Sequence, residues 1–414
     1  MDLIIGAGIT GLSYAAYTTN DYIIIEKDKE VGGYCKTIKQ DGFVWDYSGH
    51  FFHFQDESIK NDIFNGMNMS EVLTVNKNTQ IKYKDRMVDY PFQKNIHQLP
   101  QSEFIDCLYD LFQNPVKDYA TFKEMLYAKF GKSIAEKFLI PYNEKLYACD
   151  LNTLDTDAMG RFFPFADKED IIANFKPKSE TSYNANFLYP KGGAIEYVYS
   201  VCKRVDMSKV YLNEYIEDID LDKKIAKTNK RKIHFDNLIS TTPFPFLLKL
   251  TKTPFEQSLY TCNKVLVFNI GFDRKGLETR NNWIYYPENK YVFYRVGFYD
   301  NIFNSDRLSV YVEIGYKEND SIDEKEAFDK TIHDLQEAGI TTSEHKVVSY
   351  KTIIMNPAYV HVTKQMEEDR AIKMARLAEK SVYSIGRYGS WIYCSIEDNI
   401  KQAKELAHKL NSKI

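Results

Sequence analysis

The chain has 414 residues, 44% of them hydrophobic and 27% charged, which suits two or three globular modules. Its net charge of −4 argues against a general electrostatic affinity for nucleic acid while permitting a local basic pocket. No apolar run approaches the roughly 20 residues of a membrane span, and Asp2 and a glycine loop stand where a secretory signal would begin, so a cytoplasmic chain without membrane or nucleic-acid partners is expected.

In chain order, residues 2–5 predict a very short buried strand, 6–11 a turn, 11–19 a helix and 22–26 a second strand, a βαβ opening. From about residue 98 to 175, "SEFIDCLYDLFQN" and "TFKEMLYAKFGKSIAEKFLIPYNEKLY" repeat apolar residues at helical spacing. Strand patterns dominate from about 208 to 316, among them "KVLVFNIGF", "YVFYRVGFY" and "LSVYVEIGY". From about 369 the pattern returns to helix, strand and helix. The cysteines at 35, 107, 149, 202, 262 and 394 are scattered without a C-x-x-C pair, which fits reduced thiols and offers no metal site.

"GAGITG" is a G-x-G-x-x-G loop at Gly6, Gly8 and Gly11. The first glycine permits a tight turn, the second lets backbone approach a pyrophosphate, and the third lets helix and strand pack closely. Glu26 ends the second strand 20 residues after Gly6, placed to accept hydrogen bonds from a ribose diol. Together they predict a dinucleotide site. Glu26 and Lys27 lead into "EKDKEVGGYCKT", which resembles the G-G-x-x-x-T extension of the FAD superfamily of amine oxidases, protoporphyrinogen oxidase and sugar-nucleotide mutases. It supplies Gly32, Gly33 and Thr37. A strand ending in Thr-Thr-Pro, "KIHFDNLISTTPFPFLL", and the C-terminal "SIGRYGSWIYCSIEDNIKQAKEL" are also superfamily-like. In the latter, the turn at Gly386 and the following helix start could place N–H groups near a flavin ring, with Asp398 on the FAD side. An ordinary docking helix is the plainer reading of that stretch. The cofactor expected is FAD.

Five stretches resemble the UDP-galactopyranose mutase family. "DYSGHFFHF" is similar to its histidine loop and would set His50 beside the flavin, whereas His53 reads better as a core or stacking residue. "DYPFQKNIHQLP" resembles a family run and contributes Gln93 and Asn95. "PYNEKLYACD" with "MGRFFP" places Tyr142, Asn143, Tyr147 and Arg161 on uridine- and pyrophosphate-binding positions, Tyr147 replacing a tryptophan usual there. "WIYYPENKYVFYRVGFY" places Arg295 on a second pyrophosphate position. "NPAYVHV" and "GRYGSWIY" place Tyr359 and Tyr393 near the diphosphate and Arg387 against FAD. Singly, each arginine would be read as exposed. Alternation, however, puts Arg295 on one strand face with Tyr291 and Phe293, where a buried charge needs a partner or ligand.

The resemblance implies an α/β fold: a Rossmann-like FAD-binding domain with a helical insertion and a mixed or antiparallel sheet substrate region. The expected division is 1–95, 185–262 and 370–414 for FAD, 96–184 for a helical substrate or lid domain, and 263–369 for the sheet domain. It implies a pyranose–furanose isomerase of a nucleotide-diphosphate sugar, with reduced flavin N5 attacking the anomeric carbon and His50, Arg161 and Arg295 as catalytic residues. The reduced state implies NAD(P)H or another external reductant, and the product would feed a polysaccharide. Sugar and base stay open, as does a homodimer. An FAD-dependent amine oxidase or protoporphyrinogen-oxidase-like oxidoreductase is the alternative, since it shares the N-terminal motifs.

Overall fold

Strand Asp2–Ile5 is buried throughout and pairs in parallel with Tyr22–Ile25 on one side and Asn237–Ser240 on the other. This is a computed structural model, and it describes residues 1–49, 51–52, 54–116, 118–176 and 186–411. Val210–Tyr211 and Val382–Ser384 extend the sheet to five parallel strands. Its strands read as unbroken apolar runs because both faces are covered. Helices Ile9–Tyr17 and Ile396–Asn411 pack together on one face, where Ile4, Leu12, Ile24, Ile239, Ile400 and Ala403 share a core. The first helix starts two residues earlier than its apolar spacing predicts, directly after Gly8.

A second sheet has seven strands, in the order Val347–Met355, Asn263–Phe272, Ser309–Lys317, Arg295–Phe298, Trp283–Tyr285, Thr79–Tyr83 and Arg86–Asp89. The last two come from the stretch that the sequence reading grouped with the nucleotide-binding part. One face carries Leu266, Phe268, Val296, Val310 and Val312 in a core shared with Ala327 and Leu335 of helix Glu324–Glu337. Arg295, Glu313 and Val265, together with Tyr294, which precedes the fourth strand, border a cavity between this sheet and the parallel one.

"YVFYRVGFY" is a strand only over Arg295–Phe298. Tyr291 and Phe293 belong to the opposite core with Tyr286, so Arg295 does not share their face and the alternation fails there. The cause lies elsewhere in the chain. Lys145 Nζ donates to the carbonyls of Tyr286, Glu288, Tyr291 and Phe293 at 2.9, 3.1, 2.9 and 2.5 Å, wrapping this segment around one amine.

Lys145 belongs to the helical layer: Gln101–Phe112, Phe122–Ile134, a π-turn over Ala135–Leu139, and Ile140–Tyr147. Thr121 and Glu124 form a reciprocal capping box that starts the second helix. The last helix touches the sheet at Gly315, where a Cβ would lie 2.1 Å from Lys145 O, so only glycine admits the contact. No helix among the described residues is long and apolar enough to cross a membrane.

Candidate functional site

The two sheets enclose a cavity of about 800 Å³. At one end Gly6 has φ +101°, a conformation open to glycine, and a Cβ there would meet Thr241 Oγ1. Gly11 lies against Gly6 O, where a Cβ would be 2.0 Å away, so it supplies packing and does not line the cavity. A second turn, Gly32 at φ +120° and Gly33 at φ +57°, stacks on the first, with Gly32 N–H donating to Ala7 O at 2.9 Å. Helix Ile9–Tyr17 points its N-terminus here without a side-chain cap, leaving N–H groups for an anion. Glu26 is buried in the wall, accepting from Ala7 N–H at 2.6 Å and Asp28 N–H at 2.9 Å.

The other end is lined by Ser48, Tyr294, Arg295, Glu313, Tyr359, Arg387, Tyr388 and Tyr393. Arg295 stands opposite Glu313 in register, donating from Nε to Oε2 at 2.5 Å and from Nη2 to Oε1 at 2.7 Å. The Ser48 hydroxyl donates to the same Oε1. Burial lowers the guanidinium's pKa, but Glu313 more than offsets this and holds Arg295 well above its ordinary range. Among the described residues Arg387 has no carboxylate partner. It donates to Cys394 O at 3.1 Å and Ala358 O at 3.3 Å, with its Cζ 4.6 Å from the Tyr393 ring centre. Tyr359 and Tyr393 stack at 5.7 Å, and the buried Tyr294 hydroxyl has no partner among the described residues.

The family description "Flavin containing amine oxidoreductase" matches residues 9–411. The chain belongs to this flavin-containing amine oxidoreductase family. Its fold is that of a reduced UDP-galactopyranose mutase, with 24% identity, TM-score 0.91, and coverage of 100% of this chain and 94% of the other. A putative protoporphyrinogen oxidase from Exiguobacterium sp. 255-15 is 14% identical, with TM-score 0.81 over 100% and 99% of the two chains. Wild-type putrescine oxidase bound to putrescine is 12% identical, with TM-score 0.68 over 99% and 98%.

The cavity fits the family's flavin. Two stacked glycine turns leave room for a pyrophosphate, the uncapped helix start would face its charge, and the buried acid is placed to accept from a ribose diol. Gly6, Gly8, Glu26, Lys27 and Gly33 would hold the dinucleotide, with Arg387 at the cavity to meet an anion.

The remaining predicted residues that are described lie outside the lining. Thr37 donates to Asp46 Oδ1 at 2.6 Å. Gly386, at φ +85°, packs against Thr10 and Asn399 and orients Arg387 rather than facing the cavity. Asp398 accepts from Ser395 N–H at 2.8 Å and from Arg161 Nη2 at 2.7 Å, and these outweigh burial to lower its pKa. Arg161 is therefore at the rim, donating also to Gln55 at 2.8 Å. Gln93 donates to Pro164 O, Asn95 to Pro91 O at 2.9 Å and Asn143 to Leu139 O at 2.6 Å. Gln93 Oε1 and Asn143 Oδ1 remain buried without partners among the described residues. Tyr142 meets Tyr285 and Tyr294 edge-on, and Tyr147 meets Tyr359, so both form a layer behind the cavity wall. His50 and His53 lie outside the described residues. Sequence reasoning missed Glu313 and Ser48. An acid inside the apolar strand "LSVYVEIGY" carries the same signal that singled out Arg295.

Proposed function

We propose that the chain is an FAD-dependent mutase that interconverts pyranose and furanose forms of a nucleotide-diphosphate sugar. The observation that carries this reading is the wall around Arg295 and Arg387, in which two guanidinium forks stand among four tyrosines and Glu313 pairs with Arg295. Such a wall suits a diphosphate, whose many acceptors match planar forks and phenol donors, and disfavours an amine cation. Bound in its reduced form, flavin supplies a nucleophile for the anomeric carbon. Arg295 then orients the departing diphosphate, and Tyr359 and Tyr393 offer neutral donors that hold it without a further charge. Arg161 joins them by exchanging Asp398 for the diphosphate. Tyr142, Asn143, Tyr147, Gln93 and Asn95 lie behind the wall and would meet the base only if that layer opens, when the Gln93 and Asn143 carboxamide oxygens would accept from its N–H donors. NAD(P)H or another external reductant keeps the flavin reduced, and the product enters polysaccharide synthesis.

The oxidase reading keeps the support of the family match and of the protoporphyrinogen-oxidase-like fold. Anaerobic, chemically reduced protein incubated with a panel of nucleotide-pyranoses should give furanose anomeric NMR signals that vanish when the flavin is oxidised. Silence across the panel, with oxygen uptake on amines or porphyrinogens, would replace the mutase by an oxidase.

A further inference from the structure

The cavity holds two arginines in opposite electrostatic states. Arg387 is surrounded by carbonyls and tyrosine rings and has no acid to neutralise it among the described residues. Arg295 is neutralised by Glu313, which is 1% exposed, stands on the neighbouring strand and is held in place by the Ser48 hydroxyl. The pair occupies Nε and one edge of Nη2, and Nη1 has no partner among the described residues. An uncompensated buried cation suits an anion that stays, such as the pyrophosphate of a resident dinucleotide. A compensated one suits an anion that arrives and leaves, because it offers aimed N–H groups without a full net charge.

We propose that Glu313 is a positioning residue that sets how tightly this cavity holds a diphosphate: it fixes the Arg295 fork and cancels its charge, so that the nucleoside diphosphate is oriented yet released. The inference rests on the mutase reading and adds a carboxylate that acts through Arg295 without touching the reacting atoms. Exchanging Glu313 for the neutral Gln keeps an acceptor for the fork and removes the repulsion between the carboxylate and the diphosphate. Two charges several ångströms apart in a partly buried site interact strongly enough to change affinity by about tenfold.

The test is titration of the flavin-loaded protein with UDP and with inorganic pyrophosphate, followed by the flavin absorbance change. Glu313→Gln should bind both about tenfold tighter, and kcat and KM should fall together as release slows. Glu313→Asp, which keeps the charge, should not tighten binding. Unchanged or weaker binding in Glu313→Gln overturns the proposal while leaving the mutase reading intact. No binding of either probe to the parent overturns both. Should Glu313→Gln fail to hold flavin, the comparison moves to Arg295→Met against Arg295→Met with Glu313→Gln. The double variant should bind about tenfold tighter, since it lacks the stranded acid, and no recovery would sink the idea.

Discussion

Asp46 takes no part in the cavity, yet it joins three elements that frame it. Its carboxylate accepts from the Thr37 hydroxyl at 2.6 Å, the Tyr189 hydroxyl at 2.5 Å and Ala194 N–H at 2.9 Å. Burial pushes its pKa up to about 6 in spite of these donors. The folded state therefore holds a proton that the unfolded chain releases near pH 4. The resulting stability is present below about pH 4 and is lost as pH rises through 6, a difference of roughly 3 kcal/mol. Asp46→Asn has no such proton to lose. In paired thermal melts the advantage of the parent over Asp46→Asn should shrink steadily from pH 4.5 to 7.5. A gap independent of pH would show that the carboxyl does not titrate in that window. Thr37 shows the limit of a motif at this scale. The G-G-x-x-x-T spacing is visible in sequence, but the hydroxyl's partner lies on the facing strand of a hairpin, so its part in the scaffold is not. Glycines were more legible, because positive φ at Gly6 and Gly32 is a requirement of the backbone itself.

Among elements, the segment between Trp283–Tyr285 and Arg295–Phe298 depends on Lys145, and that dependence is why its sequence misled. Alternation in "YVFYRVGFY" has strand character, but four carbonyls turn to one amine on a distant helix, and Asp334 Oδ2 accepts from Val292 N–H at 2.8 Å. No local pattern encodes a partner over 140 positions away. The long helical stretch and the strands "KVLVFNIGF" and "LSVYVEIGY" were legible because their periodicity is satisfied by their own neighbours. Burial pulls Lys145 down to about 7, while the nearby Asp334 and Glu288 carboxylates pull the other way by favouring the ammonium. Lys145→Met should cost about 3 kcal/mol, because it leaves those carbonyls without a donor. Lys123→Met removes a partly exposed pair with Glu144 at 3.1 Å and should cost less than about 1 kcal/mol. Urea melts of the two variants would check the contrast, and equal losses would mean that the clamp does not hold the segment.

At the scale of the whole molecule, the cavity stands where a single-core protein would have packed side chains. Its walls come from stretches near residues 5–49, 214–246, 265–313 and 355–399, brought together by parallel pairing in one sheet and antiparallel pairing in the other. The βαβ opening and its return near the C-terminus were readable in advance. The entry of Thr79–Tyr83 and Arg86–Asp89 into the other sheet was not, since a short hairpin carries no mark of which sheet it joins. A flavin filling this space touches both sheets and binds only when they are assembled, so it must stabilise the fold by mass action. At a free concentration one hundred times its Kd the gain is about 2.7 kcal/mol. Protein stripped of flavin should melt several degrees lower, and its Tm should climb with the logarithm of added FAD. The same titration on Gly6→Ala should give a much flatter rise, because a Cβ there opposes Thr241 and the turn that meets the pyrophosphate. A parent Tm indifferent to FAD would mean that the two sheets hold their positions without the dinucleotide between them.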